Sequence, residues 1–178
     1  ATGKIYSYSS YAYAENAAPP YTSLMTERWE FECNLDASCR RVVTQLAYDQ
    51  YANVLTTTEW GDYDVAGDEL TTVRGYFPNP TSFVVTKPAY ENVYAGVGTG
   101  GALLKQTLHY YDGAASYAAA PTLAGNVTRQ DRWDSRTGGY VTRRYGYDAY
   151  GNLASDTDEL GRAQTFGYDD AFHVFRTR

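Results

Sequence analysis

Tyr-Asp recurs in this chain at Tyr48-Asp49, Tyr111-Asp112, Tyr147-Asp148 and Tyr168-Asp169, at intervals of 63, 36 and 21 residues. Each pair closes a stretch in which apolar and polar residues alternate, and each opens a short polar one. "LAYDQYANVL" and "YGYDAYGNLA" share the frame Tyr-Asp-x-Tyr-(Ala/Gly)-Asn-(Val/Leu), with Asn53 in the first and Gly151-Asn152 in the second. Alternation of period two marks a strand with one face toward a core. An Asp at the strand's end accepts bonds from backbone N–H groups two residues on and starts a turn. Gly151-Asn152 then supplies the left-handed positions of a tight hairpin. One hairpin alone is marginal in water, so such units must lie side by side.

The rest of the chain follows the same rhythm. "VVTQLAY", "NVTRQDRWD", "YVTRRYGYD" and "AQTFGYD" alternate, and "NLDAS", "GDYDVAGDE", "FPNPTS", "AGVGTGG", "DSRTGG" and "ELGR" (Gly161-Arg162) punctuate them. The unit that begins at Tyr111-Asp112 is split: "AASYAAAPTLA" intervenes before Gly125-Asn126 resumes the frame. Surface turns accept such insertions readily. The last unit, "YDDAFHV", keeps the tail of the frame as Phe172, His173 and Val174. The expected fold is all-β, an antiparallel hairpin meander, with the repeat tyrosines ring beside ring on one face. It forms one domain over 1–178, with divergent strands over 1–32, irregular hairpins over 33–110 and regular repeat hairpins over 111–178. The closing "HVFRTR" still reads as strand, which suggests a chain cut from a longer protein.

Composition decides what fills such a sheet. Leu, Ile, Val and Phe together number only 30 of 178 residues, but there are 19 tyrosines, and a tyrosine buries a large ring while its hydroxyl finds a partner. The net charge of -6 and the scattered 15 Lys and Arg argue against a nucleic-acid partner. Arg40-Arg41 and Arg143-Arg144 are pairs whose members point to opposite faces of a strand. No apolar run is long enough to span a membrane, and no signal peptide is visible. Cys33 and Cys39 flank turn formers. A bridge across a hairpin base is feasible at this spacing and favours an oxidising compartment; two free thiols are the alternative.

The stretch "YGYDAYGNLASDTDELGRAQTFGYD" resembles the YD repeat of the Rhs family, shared by polymorphic toxins, the B and C components of insecticidal toxin complexes, and teneurins. "YFPNPTSFVVTKP", "GGALLKQTLHYYDG" and "GNVTRQDRW" resemble the B component in particular. The resemblance implies a strand spiral closing as a cocoon around an unfolded or toxic polypeptide, secreted and linked to virulence, with this chain one patch of wall. Its partners would be the remainder of the shell, or copies of itself through sheet edges. Ala52 in place of glycine, the interrupted unit and the uneven intervals depart from a regular repeat.

Motifs for chemistry fail their context tests. Gly96, Gly98 and Gly101 match G-x-G-x-x-G, but no helix follows. Asp62, Asp64, Asp68 and Glu69 lack the ligand spacing of a calcium loop, where Ala66 and Val73 fall at key positions. His109 and His173 read as structural. No catalytic, cofactor or metal residue is nominated. Two other function classes stand beside the wall. One is an extracellular carbohydrate- or protein-binding module, self-assembling into oligomers or filaments, with Trp29, Trp60 and Trp133 stacking on glycans. The other is a hydrolase whose site is not visible in the sequence.

Overall fold

The computed structural model describes residues 6–33 and 38–177. Its strands are β1 (Ser7–Asn16), β2 (Thr22–Cys33), β3 (Cys39–Tyr48), β4 (Val54–Asp62), β5 (Leu70–Tyr76), β6 (Pro88–Ala95), β7 (Leu103–Tyr111), β8 (Val127–Asp134), β9 (Gly139–Tyr147), β10 (Leu153–Thr157) and β11 (Ala163–Thr165). They form one antiparallel sheet in which spatial order equals sequence order, the meander expected from the alternation and the turns. No helix is present among the described residues, and none is long and apolar enough to cross a membrane.

Contacts divide the chain into two compact units. One comprises Ala1–Arg74 and Asn92–Leu104, the other Gly75–Glu91 and Lys105–Arg178. The sequence-based divisions after 32 and after 110 follow repeat regularity, and they do not coincide with these units.

In the first unit, β2 and β3 pair from Glu27↔Gln45 to Cys33↔Cys39, and a disulfide joins the two cysteines where the ladder ends. Val43, opposite Trp29, is fully buried. Around it runs a chain of rings. Tyr8 stacks on Phe31 at 4.2 Å, Phe31 lies 6.0 Å from Trp29, and Tyr63 bridges Trp29 (4.9 Å) and Trp60 (5.5 Å). Aromatic side chains thus supply the area that the few aliphatic ones cannot. The buried Thr71 hydroxyl donates to the Gly96 carbonyl and accepts from the Gly98 amide, each at 2.9 Å. It fixes the 96–101 loop as a hairpin loop.

The second unit is built on Ala89, Thr107, Leu108, Tyr110, Tyr111 and Asp131, all buried. Asp131 is charged and 2% exposed. It survives burial because Arg129 grips it through two bonds (2.8 and 2.6 Å) and the Thr142 hydroxyl donates at 2.7 Å. Gly75 is required where it stands: a Cβ there would lie 2.1 Å from the Tyr90 ring. Tyr117, carried by the insert after Asp112, packs edge-on against Tyr90 and Tyr110, each at 6.3 Å.

Two expectations are corrected. "HVFRTR" forms no strand within its described part; only an isolated bridge, Tyr168↔Arg176, is present. The backbone there is taken by a turn, because the Asp169 carboxylate accepts the amides of Phe172, Val174 and Phe175. Nor do the repeat tyrosines lie ring beside ring. No ring contact joins Tyr111, Tyr147 and Tyr168; Tyr111 and Tyr147 end the alternate strands β7 and β9, and Tyr168 follows β11. At about 4.8 Å per strand step they are too far apart for ring contact, which needs centroids within about 7 Å.

Candidate functional site

The repeat residues singled out in the sequence lie at or beyond strand ends, and each half of the Tyr-Asp pair has one job. The tyrosine reaches back to the preceding strand. Tyr48 donates its hydroxyl to the Met25 carbonyl (2.7 Å), Tyr111 to Pro88 (2.7 Å), Tyr147 to Val127 (3.0 Å) and Tyr168 to Leu153 (3.1 Å). Pro88, Val127 and Leu153 are the first residues of β6, β8 and β10, and Met25 lies near the start of β2. A carbonyl at a strand's beginning is where a ladder runs out of partners, and the phenol satisfies it. Burial pushes the Tyr111 phenol up to about 12 and also raises that of Tyr147, as expected of rings held in the sheet.

The aspartate reaches forward into the turn. At Asp148 the backbone N–H donates to the Asn152 carbonyl (3.0 Å), and Gly151 N–H returns to the Asp148 carbonyl (3.1 Å). One carboxylate oxygen accepts the amides of Tyr150 and Asn152 (2.9 Å each), and the other accepts the Asn152 side-chain amide (3.0 Å). Asp49 repeats this bond for bond with Ala52, Tyr51 and Asn53. The loop is the three-residue kind, with one left-handed residue at its end. Gly151 takes that position at φ 84°, and Ala52 takes it at φ 62°. The expected pair of left-handed residues is therefore corrected to one. Asn152 is not left-handed, because its role is to bond the carboxylate.

The split unit closes in the same way around its insert. Asp112 N–H donates to the Asn126 carbonyl (2.8 Å), and Asn126 N–H to the Asp112 carboxylate (3.0 Å). The other carboxylate oxygen gathers the amides of Thr122, Leu123 and Gly125. Burial pushes this carboxyl up, but the four amides outweigh it and hold it below the usual range. Asp148 is held low first by the Asn152 side chain, Asp158 by the Arg162 backbone N–H, and Asp169 by those of Phe172 and Phe175.

Three features escaped the sequence reading. Asp158 heads a turn identical in pattern to that of Asp148: Gly161 is left-handed (φ 76°), and Arg162 Nε replaces the asparagine amide at 2.6 Å. The signal was present as D-x-x-G in both "DAYGN" and "DELGR", hidden by alignment on Tyr-Asp. A fifth Tyr-Asp pair, Tyr63-Asp64, is not a repeat turn: Tyr63 joins the ring chain and Asp64 pairs with Arg41. Finally, a β-bulge follows three of the turns. Tyr48↔Val54 is followed by Ala47↔Thr56, Tyr111↔Val127 by Tyr110↔Arg129, and Tyr147↔Leu153 by Gly146↔Ser155. Leu55, Thr128 and Ala154 are the extra residues, and bulges of this kind increase the local twist.

Neighbouring turns also hold each other in the second unit. The Asn152 amide donates to the His173 carbonyl (2.6 Å), and the Tyr150 ring stacks on His173 at 3.8 Å. Asn79 caps its own loop and reaches the Pro121 carbonyl at 2.8 Å.

The acidic residues of the 62–69 loop are engaged structurally. Asp68 accepts the Asp62 amide, Glu69 accepts the Gly67 amide, and Asp62 and Asp64 pair with Arg40 and Arg41. No group of three or more His, Cys, Asp or Glu is placed to hold a metal among the described residues. An open depression of about 390 Å³ is lined by Glu91, Lys105, Thr107, His109, Gln130 and Arg132. Burial lowers the pKa of His109 there, and its Nδ1 has no partner. Trp29 and Trp60 belong to the ring chain. Tyr8 and Phe31 lie face to face (interplanar angle 6°).

No protein-family model matches this chain, and no curated protein matches it. Among solved structures it is similar to one titled "Crystal Structure of TcdB2-TccC3-Cdc42", with 12% identity and a TM-score of 0.28. The match covers 82% of this chain and 11% of that one, so this chain spans about a tenth of that protein's length.

Proposed function

We propose that this chain is a non-catalytic section of β-sheet wall of the YD-repeat, Rhs type, acting by enclosing a polypeptide within a larger secreted shell. The observation that carries this reading is the division of labour within the Tyr-Asp pair. Each tyrosine satisfies a carbonyl at a strand's start, and each aspartate satisfies the amides of the following turn. The repeat residues are thereby committed to extending a sheet by one hairpin at a time, which is what a wall requires. The bridge between Cys33 and Cys39 supports an oxidising, extracellular setting.

Limited proteolysis of the protein isolated from its source tests this reading. A wall protects an enclosed polypeptide. Protection should be complete in the wild type and lost when Asp112→Ala and Asp148→Ala together loosen the sheet. Recovery of the chain as a free 19.8 kDa species that turns over a substrate overturns it.

A further inference from the structure

We infer that the depression on β6, β7 and β8 binds an acidic sugar, a hexuronate that carries one carboxylate and several hydroxyls. The inference goes beyond the wall reading and does not rest on it.

The depression lies wholly within the second unit. β6, β7 and β8 are neighbours in the sheet. They contribute Glu91, then Lys105, Thr107 and His109, then Gln130 and Arg132. Residues two apart on a strand share a face. The register sets Thr107 opposite Arg132 and His109 opposite Gln130. Four hydrogen-bonding side chains therefore stand in one block, with the Cβ atoms of each facing pair about 5 Å apart. The volume of about 390 Å³ suits one small ligand.

The charges leave room for one anion. Lys105 donates to Glu91 at 2.9 Å, so those two neutralise each other. Arg132 is exposed and pairs with no carboxylate among the described residues, unlike Arg129 on the same strand, which grips Asp131. Its planar fork fits a carboxylate through two parallel bonds. The remaining groups are neutral. The Thr107 hydroxyl and the Gln130 amide each donate and accept, and no side-chain hydrogen bond engages either among the described residues. His109 Nδ1 is buried without a partner, so the ring meets a ligand through Nε2. Burial also disfavours the charged form of that ring, and so a second uncompensated cation. One free guanidinium beside neutral donors and acceptors matches one carboxylate on a hydroxylated body. A polyphosphate brings more negative charge than Arg132 balances, and a neutral sugar leaves the guanidinium without a counter-charge.

Amide NMR of the full chain reads binding, with sodium galacturonate as the probe. Glucose, acetate and inorganic phosphate serve as comparators at equal ionic strength. Galacturonate should shift the amides of 105–109 and 130–132 saturably, and each comparator should bind at least about tenfold more weakly. Arg132→Gln should weaken galacturonate at least about tenfold, and the fold should persist because Arg132 is exposed. Arg144→Gln removes the same charge from an exposed position on β9 that shares the face of Arg129, away from the depression, and should leave binding unchanged. Shifts that are absent or do not saturate, a comparator that binds as tightly as galacturonate, full binding by Arg132→Gln, or an equal loss in Arg144→Gln overturns the inference.

Discussion

The Tyr147 hydroxyl donates to the Val127 carbonyl at 3.0 Å, joining the last residue of β9 to the first of β8. Removing that hydroxyl isolates what it contributes. Tyr147→Phe should destabilise by about 1 kcal/mol, and Tyr111→Phe by roughly 1–3 kcal/mol, because Tyr111 is buried and the Pro88 carbonyl loses its partner. Urea unfolding measures both, and unchanged midpoints would show that the phenols pack without capping.

Ala52 and Gly151 occupy the same left-handed turn position with opposite consequences. Ala52→Gly relieves a Cβ penalty and should stabilise by about 1 kcal/mol. Gly151→Val introduces one and should destabilise by roughly 1–3 kcal/mol. Thermal midpoints that move in the same direction for both would contradict the shared geometry.

The aspartates make the fold acid-sensitive. Asp112, Asp148, Asp158 and Asp169 are all held below the ordinary carboxylate value. Their stabilisation is therefore present above the unfolded value of about 3.9 and is lost as pH falls through their lower folded values. Tyr111 acts at the other extreme. Its phenol is raised to about 12, so its contribution is full below about 10, the unfolded value, and is lost as pH climbs between the two. Thermal scans from pH 2 to pH 12 should show a plateau that falls at both ends, and Asp148→Asn should flatten the acid limb.

Asp112 clasps the end of the insert, which Asn79 also bonds at the Pro121 carbonyl and Tyr117 anchors by packing. Asp112→Ala should free 113–125 for proteolysis while the strands persist, since four amides lose their common acceptor. Mass spectrometry of the first cleavage products locates the cut. An insert as resistant as the wild type would place its restraint in Tyr117 instead.

The bridge of Cys33 to Cys39 closes a short loop, so its contribution is modest, about 2 kcal/mol. Reductant should lower the unfolding midpoint. Alkylation of two thiols before reduction would show that the bridge is absent in the purified protein.

The sequence by itself determined the all-β meander and the turns at Asp49, Asp112 and Asp148. Period-two alternation and Asp or Gly at fixed offsets are local signals, and they act within a few residues of one another. Asp148 and Asn152 could be paired on paper because they lie four residues apart. Only the tertiary structure decided what the tyrosines do. The separation of 20 positions between Tyr147 and Val127 becomes adjacency only when register is set, and register depends on where each bulge falls. The same holds for the ring chain from Tyr8 to Trp60, which spans four strands, and for Tyr63-Asp64, whose local spelling matches the repeat. What separates Tyr63-Asp64 from the repeat is the company of Trp29 and Arg41, brought there by strand pairing over a distance that no local pattern records.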